Sequence, residues 1–248
     1  MPASQLHIAP QTPLGATLVA GGATFRCWAP HAHQVFVSFP PAIESDVCPE
    51  QQLLVRDENG IWGGFFPDIV EGDAYRFFVI GEGSQGFKRD PYARELSFDN
   101  YPRCACIVRN PDRYPWADSG FRPPAFNDLV VYQFHFGVFF AEDERGRDIR
   151  PHRVCKFLDA VGRIEYWAEL GINAVMPLPF QEFQTENSLG YNGTDLFSPE
   201  MDYAVHAHEL GPYCETVNRL LKAKGRPAIS AVDLKGQDNQ LKTFIDLC

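Results

Sequence analysis

The chain has 248 residues, of which 45% are hydrophobic and 22% charged, ordinary globular usage that excludes disorder and fibrous repeats. With 22 Lys+Arg against 32 Asp+Glu the net charge is −10, which speaks against nucleic acid and against an anionic membrane surface as partners. The 20 Pro and 20 Gly point to many turns, hence to short strands and loops.

From Ala16 to Val108 the chain changes character every few residues. The spacing predicts strands at Ala23–Trp28, Val35–Phe39, Gln52–Val55, Gly63–Phe66 and Tyr75–Ile80, separated by turn formers such as Gly21-Gly22, Asn59-Gly60 and Glu71-Gly72-Asp73. Alternation puts Val35, Val37 and Phe39 on one strand face and Tyr75, Phe77 and Val79 on another. Asp57-Glu58-Asn59-Gly60 before Ile61-Trp62 is a hairpin signal. Short strands at this spacing imply a β-sandwich of about 100 residues. Tyr114–Asp128, with three prolines and no period, reads as a connector packed by its own aromatics.

After the connector the period changes. Leu129–Phe140 is nearly all apolar, as expected of a strand buried on both faces. Val154, Phe157, Leu158, Val161, Ile164 and Ala168 form a helical stripe within a helix expected over Arg153–Leu170, and Gly171 is suited to its C-terminal cap. Ile172–Leu178 is then a second strand, stopped by Pro177 and Pro179, so the segment reads as a βαβ unit with a parallel sheet. Leu210, Tyr213, Cys214, Val217, Leu220 and Leu221 form a further stripe closed by Gly225 and Pro227. Leu241, Phe244, Ile245 and Cys248 begin another behind Asp233 as N-cap, a stripe that looks interrupted.

Seven cysteines (Cys27, Cys48, Cys104, Cys106, Cys155, Cys214 and Cys248) are odd in number and scattered. Cys104-Ala105-Cys106 is too tightly spaced for a usual zinc knuckle and nothing completes a site, so they read as reduced structural thiols. The N-terminal stretch lacks a basic n-region and a continuous apolar core, and no run approaches the roughly 18 apolar residues of a membrane span. The expected location is the cytoplasm. No Gly-rich phosphate loop, GxSxG or nucleotide fingerprint is present, and neither a metal nor a cofactor is expected.

Several of these segments resemble a known family. Phe25-Arg26-Cys27-Trp28-Ala29-Pro30, Gly60-Ile61-Trp62, Gly72-Asp73-Ala74-Tyr75-Arg76-Phe77 and Asp90-Pro91-Tyr92-Ala93-Arg94 resemble carbohydrate-binding module family 48, which implies an immunoglobulin-like, early-set β-sandwich over residues 1–112. The rest resembles the start of a glycoside hydrolase family 13 (α-amylase family) barrel. Val131-Tyr132-Gln133-Phe134-His135-Phe136-Gly137-Val138-Phe139 looks like its first strand, Leu170–Leu178 like its second, and Gly190-Tyr191-Asn192-Gly193 like its G-Y-D-G turn. The nearest subgroups are branching enzymes and maltooligosyl-trehalose trehalohydrolases. The implied organisation is a sandwich at 1–112, a connector at 113–128, and the first two βα units of an incomplete (β/α)8 TIM barrel at 129–248.

Phe136, Val138 and Asn192 depart from the family pattern, and larger motifs are missing. The third-strand D-V-V-x-N-H is absent, as are the motifs bearing the nucleophile Asp, the acid/base Glu and the stabilising Asp. Retaining glycoside chemistry needs two carboxylates about 5 Å apart. No catalytic residue can therefore be assigned, and this chain alone is expected to be inactive. The segment after Asp128 is about half of the ~250 residues a barrel takes.

Tyr191 is the leading candidate for binding carbohydrate: the resemblance implies stacking on a sugar, while the plain alternative is packing of the loop. Asn192 accompanies it. Trp62, beyond a hairpin tip, reads as exposed and as either a sugar platform or scaffold; Trp28, alternating with Phe25 and Cys27, reads as core. His135 between two phenylalanines reads as a buried histidine bonded to the backbone. The Asp57/Glu58 and Glu142-Asp143-Glu144 groups read as solvated. Glu182 and Glu186 lie in a loop where barrel enzymes bind substrate, and His206 with His208 lacks a third metal ligand. The expected partner is an α-glucan (glycogen, starch or maltooligosaccharide), with a non-catalytic glucan-binding or regulatory module as the alternative reading. Two βα units leave an open sheet edge, from which self-association is expected.

Overall fold

The computed structural model describes residues 2–44, 52–98, 101–140, 142–143, 145–149, 153–184 and 188–248. Cys48, Glu144 and Glu186 lie outside them. The chain divides into two compact units, the first comprising Met1–Pro111 with Asp195–Ser198, the second Asp112–Thr194 with Pro199–Cys248.

The first unit is built from antiparallel strands. β1 (Gly15–Val19), β2 (Gly22–Trp28), β5 (Ile61–Pro67) and β4 (Val55–Arg56) form one sheet, in the order β1-β2-β5-β4. β3 (Ala32–Ser38), β6 (Ala74–Gly81) and β7 (Ser84–Lys88) form the other, with β8 (Cys106–Ile107) also on β6. Val37 pairs with Phe77 and Val35 with Val79, so the alternation read from sequence gives this sheet its inner face. Phe25 from the first sheet meets Tyr75 from the second edge-on at 4.9 Å, and both are fully buried. The expected hairpin joins β4 and β5: Asp57 accepts hydrogen bonds from the Asn59 and Ile61 amides at 2.9 Å each. β1, β7 and β8 leave little signal in the sequence, because they are short or half-exposed and carry little pattern.

The outer face of the first sheet is covered by the N-terminal segment. Ala3 N donates to Leu53 O at 2.7 Å, and the buried Arg26 donates to the Pro10 and Thr12 carbonyls. The two tryptophans are the reverse of expectation. Trp62 is 5% exposed and its Nε1–H donates to Ala29 O at 2.9 Å, whereas Trp28 is 65% exposed. β2 and β5 pair Cys27 with Trp62 and Trp28 with Ile61, which turns Trp62 to the core and Trp28 outward.

In the second unit β9 (Val131–Phe134) and β10 (Ala174–Pro177) pair in parallel, Val131 opposite Ala174. The expected βαβ arrangement is present, but its parts are shorter. Only four residues of the apolar run Leu129–Phe140 are strand, Val131 is half-exposed, and Phe136–Val138 turns as a 3-10 helix. A uniformly apolar run carries no period, so its length overstates the strand. The expected helix over Arg153–Leu170 is broken at Gly162-Arg163 into α1 (Phe157–Val161) and α2 (Ile164–Glu169). Phe157, Leu158 and Val161 are buried as the stripe predicts, but past the break Trp167 goes inward and Ala168 outward. Gly171 has φ 78°, as its capping role requires.

α3 (Leu210–Ala223) buries Leu210, Val217, Leu220 and Leu221. α4 (Gln237–Leu247) buries Leu241, Phe244 and Leu247 and leaves Ile245 exposed. Its N-cap is Gly236; Asp233 instead accepts from the amide and hydroxyl of Ser230, three residues back. Phe134, Phe136, Phe157, Trp167 and Phe244 form an aromatic core, with Phe136 4.9 Å from Phe157 and 5.2 Å from Phe244. Gln240 is fully buried and satisfied, accepting from Val205 N and donating to Val205 O at 2.8 Å each. In the connector Tyr114 and Trp116 meet edge-on at 4.7 Å, and Ala117 N donates to Asp246 of α4 at 3.0 Å.

Candidate functional site

The second unit presents Tyr191 on a tight turn. Leu189 (φ 51°) and Gly190 (φ 82°) are both left-handed, and Tyr191 N closes back on Ser188 O at 3.0 Å. A Cβ on Gly190 would lie 2.5 Å from Pro179 O, so glycine is required by close approach as well as by φ. Tyr191 is 70% exposed, and Asn192 beside it is exposed too. An aromatic face next to an amide can stack on the apolar side of a pyranose and hydrogen-bond its hydroxyls.

Beneath the turn His135 is 9% exposed, with Nε2 3.3 Å from Leu189 O and 3.5 Å from the Tyr203 hydroxyl. The backbone-bonded histidine expected from sequence is therefore observed. Tyr203 approaches so closely that a Cβ on Gly137 would lie 3.0 Å from its ring.

Glu182 and Glu200, both buried, do not line a cleft. Glu182 is 2% exposed and accepts from Met201 N at 3.0 Å; Glu200, equally buried, accepts from Phe183 N at 3.1 Å. Each thus binds the amide of the residue next after the other in sequence, a reciprocal brace. Burial pushes Glu200 up to about 7, against the opposing pull of the Asp202 and Phe183 amides. Sealed from solvent, these groups serve the backbone rather than a substrate. His206 and His208 stack at 5.7 Å, and among the described residues no three His, Cys, Asp or Glu side chains are grouped to hold a metal. No helix among the described residues is long and apolar enough to cross a membrane.

In the first unit the exposed Trp28 offers a flat ring at the end of β2, whereas the buried Trp62 cannot act as a platform. Sequence reading missed this because the tip of a hairpin says nothing of which face a strand turns inward. It also missed the Asp90 site. That carboxylate is fully buried, accepts from the Tyr75 hydroxyl at 2.6 Å and from Tyr92 N at 2.8 Å, and is pushed up to about 6 by burial. Arg89, its neighbour, holds Asp195 through Nε at 3.0 Å and Nη2 at 2.8 Å. Among the thiols, burial pushes Cys27 and Cys155 up to about 12, which suppresses thiolate chemistry.

Residues 13–93 match carbohydrate-binding module 48 (isoamylase N-terminal domain), an immunoglobulin-like β-sandwich. The chain is similar to 1,4-alpha-glucan branching enzyme GlgB of Chlamydia caviae, 29% identical over 187 residues that cover 73% of this chain and 24% of that enzyme. It is also similar to the GlgB of Corynebacterium jeikeium, 31% identical over 196 residues covering 77% and 26%. The chain thus spans about a quarter of the length of these curated relatives. Among solved structures, pullulanase type I from Bacillus subtilis complexed with maltose has a similar fold, with a TM-score of 0.66, 21% identity and coverage of 98% of this chain and 32% of that one. Over about three quarters of its length the chain is therefore similar to GlgB branching enzymes, and within that stretch residues 13–93 match the carbohydrate-binding module 48 family.

Proposed function

We propose that this chain is the glucan-engaging N-terminal portion of an α-1,4-glucan-active enzyme of the branching type. A sandwich at 1–112 leads through a connector at 113–128 to the first two βα units of a (β/α)8 barrel at 129–248. The similarity to GlgB enzymes over about three quarters of this chain carries the reading. The parallel pairing of β9 with β10 supports the barrel assignment. Exposed Tyr191, Asn192 and Trp28 support contact with glycogen, starch or maltooligosaccharides. By itself the chain neither cleaves nor transfers glucan, since no carboxylate pair can be assigned and Glu182 and Glu200 are sealed into backbone bonds. The thiols of Cys27, Cys106 and Cys155, buried and unpaired, support a reducing, cytoplasmic setting. The half-exposed β9 supports self-association at its sheet edge.

An amylose–iodine branching assay and a reducing-end assay test the inactivity, and turnover above a heat-killed control would sink it. A glycogen or amylose pull-down tests binding. Retention that is lost in Trp28→Ala or Tyr191→Ala supports the reading; no retention by the unaltered chain removes it.

A further inference from the structure

We infer that His135 is the positioning residue of the Tyr191 turn: its Nε2–H holds the Leu189 carbonyl, and that bond sets the Tyr191 ring as a glucan platform. The inference rests on the glucan reading above. Leu189 is a non-glycine residue at φ 51°, a conformation that L-residues avoid, so something must hold it there. Packing covers only about half of Leu189, which is 48% exposed. The direct hold on its carbonyl is His135 Nε2 at 3.3 Å.

The other side of the arrangement fixes the histidine. His135 comes directly after the last residue of β9, Phe134, and its ring lies edge-on to Tyr203 with centroids 6.0 Å apart. The buried Nδ1 has no hydrogen-bond partner among the described residues, and a carbonyl only accepts, so the proton belongs on Nε2. Gly137 leaves the room that Tyr203 occupies against the imidazole. Strand, imidazole, carbonyl and turn therefore form one chain of contacts from β9 to the ring of Tyr191. Gly190 and Tyr191 come next along the turn, the first pinned against Pro179 and the second bonded to Ser188 O at 3.0 Å.

The test uses the full chain. A long-range ¹H–¹⁵N correlation of the unaltered protein at pH 7.5 should show the Nε2–H tautomer of His135; the Nδ1–H tautomer overturns the inference, whatever the variants do. His135→Phe keeps an aromatic ring but loses the donor, and should speed hydrogen exchange at the Tyr191 amide about fivefold or more while weakening maltoheptaose binding by a similar factor. His135→Gln, whose amide reaches the same position, should restore both to within about twofold. Unchanged Tyr191 exchange in His135→Phe overturns the positioning role even if binding falls. If the unaltered chain fails to bind maltoheptaose but Tyr191 exchange responds to the substitutions, the glucan reading fails and the positioning stands.

Discussion

The Tyr75 hydroxyl donates to the Asp90 carboxylate at 2.6 Å inside a core where Asp90 has no exposed surface. Burial raises Asp90 from 3.8 to about 6, only partly opposed by the Tyr75 and Tyr92 donors. Asp90 is thus a polar strut that is most stable when protonated.

That fixes the sign of a pH dependence. A carboxyl whose folded value lies above its unfolded value holds its proton more tightly when folded. Its contribution is complete below pH 3.8 and is lost as pH rises through about 6. The loss is on the order of 3 kcal/mol. Thermal melts should show the first unit less stable at pH 7.5 than at pH 4.5, and Asp90→Asn should flatten the profile. Equal slopes in the two proteins would contradict the assignment.

Tyr75→Phe removes the donor and leaves one carboxylate oxygen unsatisfied. We expect a cost of about 1–3 kcal/mol, larger at pH 7.5 than at pH 5 because only the ionised carboxylate depends fully on its donors. Urea unfolding at the two pH values measures the difference.

The tryptophans should separate stability from binding. Trp62→Ala opens a cavity and removes one of the two donors to the Ala29 carbonyl, the other being Ala32 N, at about 3–5 kcal/mol. Trp28→Ala alters an exposed ring and should shift unfolding by no more than about 0.5 kcal/mol while reducing retention on glycogen resin. Equal retention by Trp28→Ala and the unaltered chain would end its role as a platform.

Gly190→Ala combines a left-handed backbone with a Cβ 2.5 Å from Pro179 O. The turn must shift, at about 1–3 kcal/mol. Maltoheptaose binding should weaken more than the melt alone suggests, because Tyr191 moves with the turn. Titration beside a thermal melt of the same sample reads both.

The sandwich was legible because alternation is local. Val35 and Val37, and Tyr75 and Phe77, mark their inner faces within a few residues, and Asp57-Glu58-Asn59-Gly60 names its own hairpin. The stripes of α3 and the cap at Gly171 were legible for the same reason. The run Leu129–Phe140 was not, since uniform hydrophobicity has no period and its 3-10 turn is set by packing around Phe136.

The candidate site divides along the same line. Tyr191 and Asn192 came from the resemblance of Gly190-Tyr191-Asn192-Gly193 to a family turn, and the backbone-bonded His135 from its two phenylalanine neighbours. The exposure of Trp28, the burial of Trp62 and the sealing of Glu182 against Met201 came from partners 19 to 35 residues away. By itself the sequence determined the sandwich and the βαβ order, because each depends on residue type and short spacing. Only the tertiary structure decided which tryptophan meets solvent and which carboxylates are shut away. Those outcomes depend on the pairing of β2 with β5 and on the Glu182–Glu200 brace, and strand pairing joins residues whose separation along the chain leaves no periodic trace.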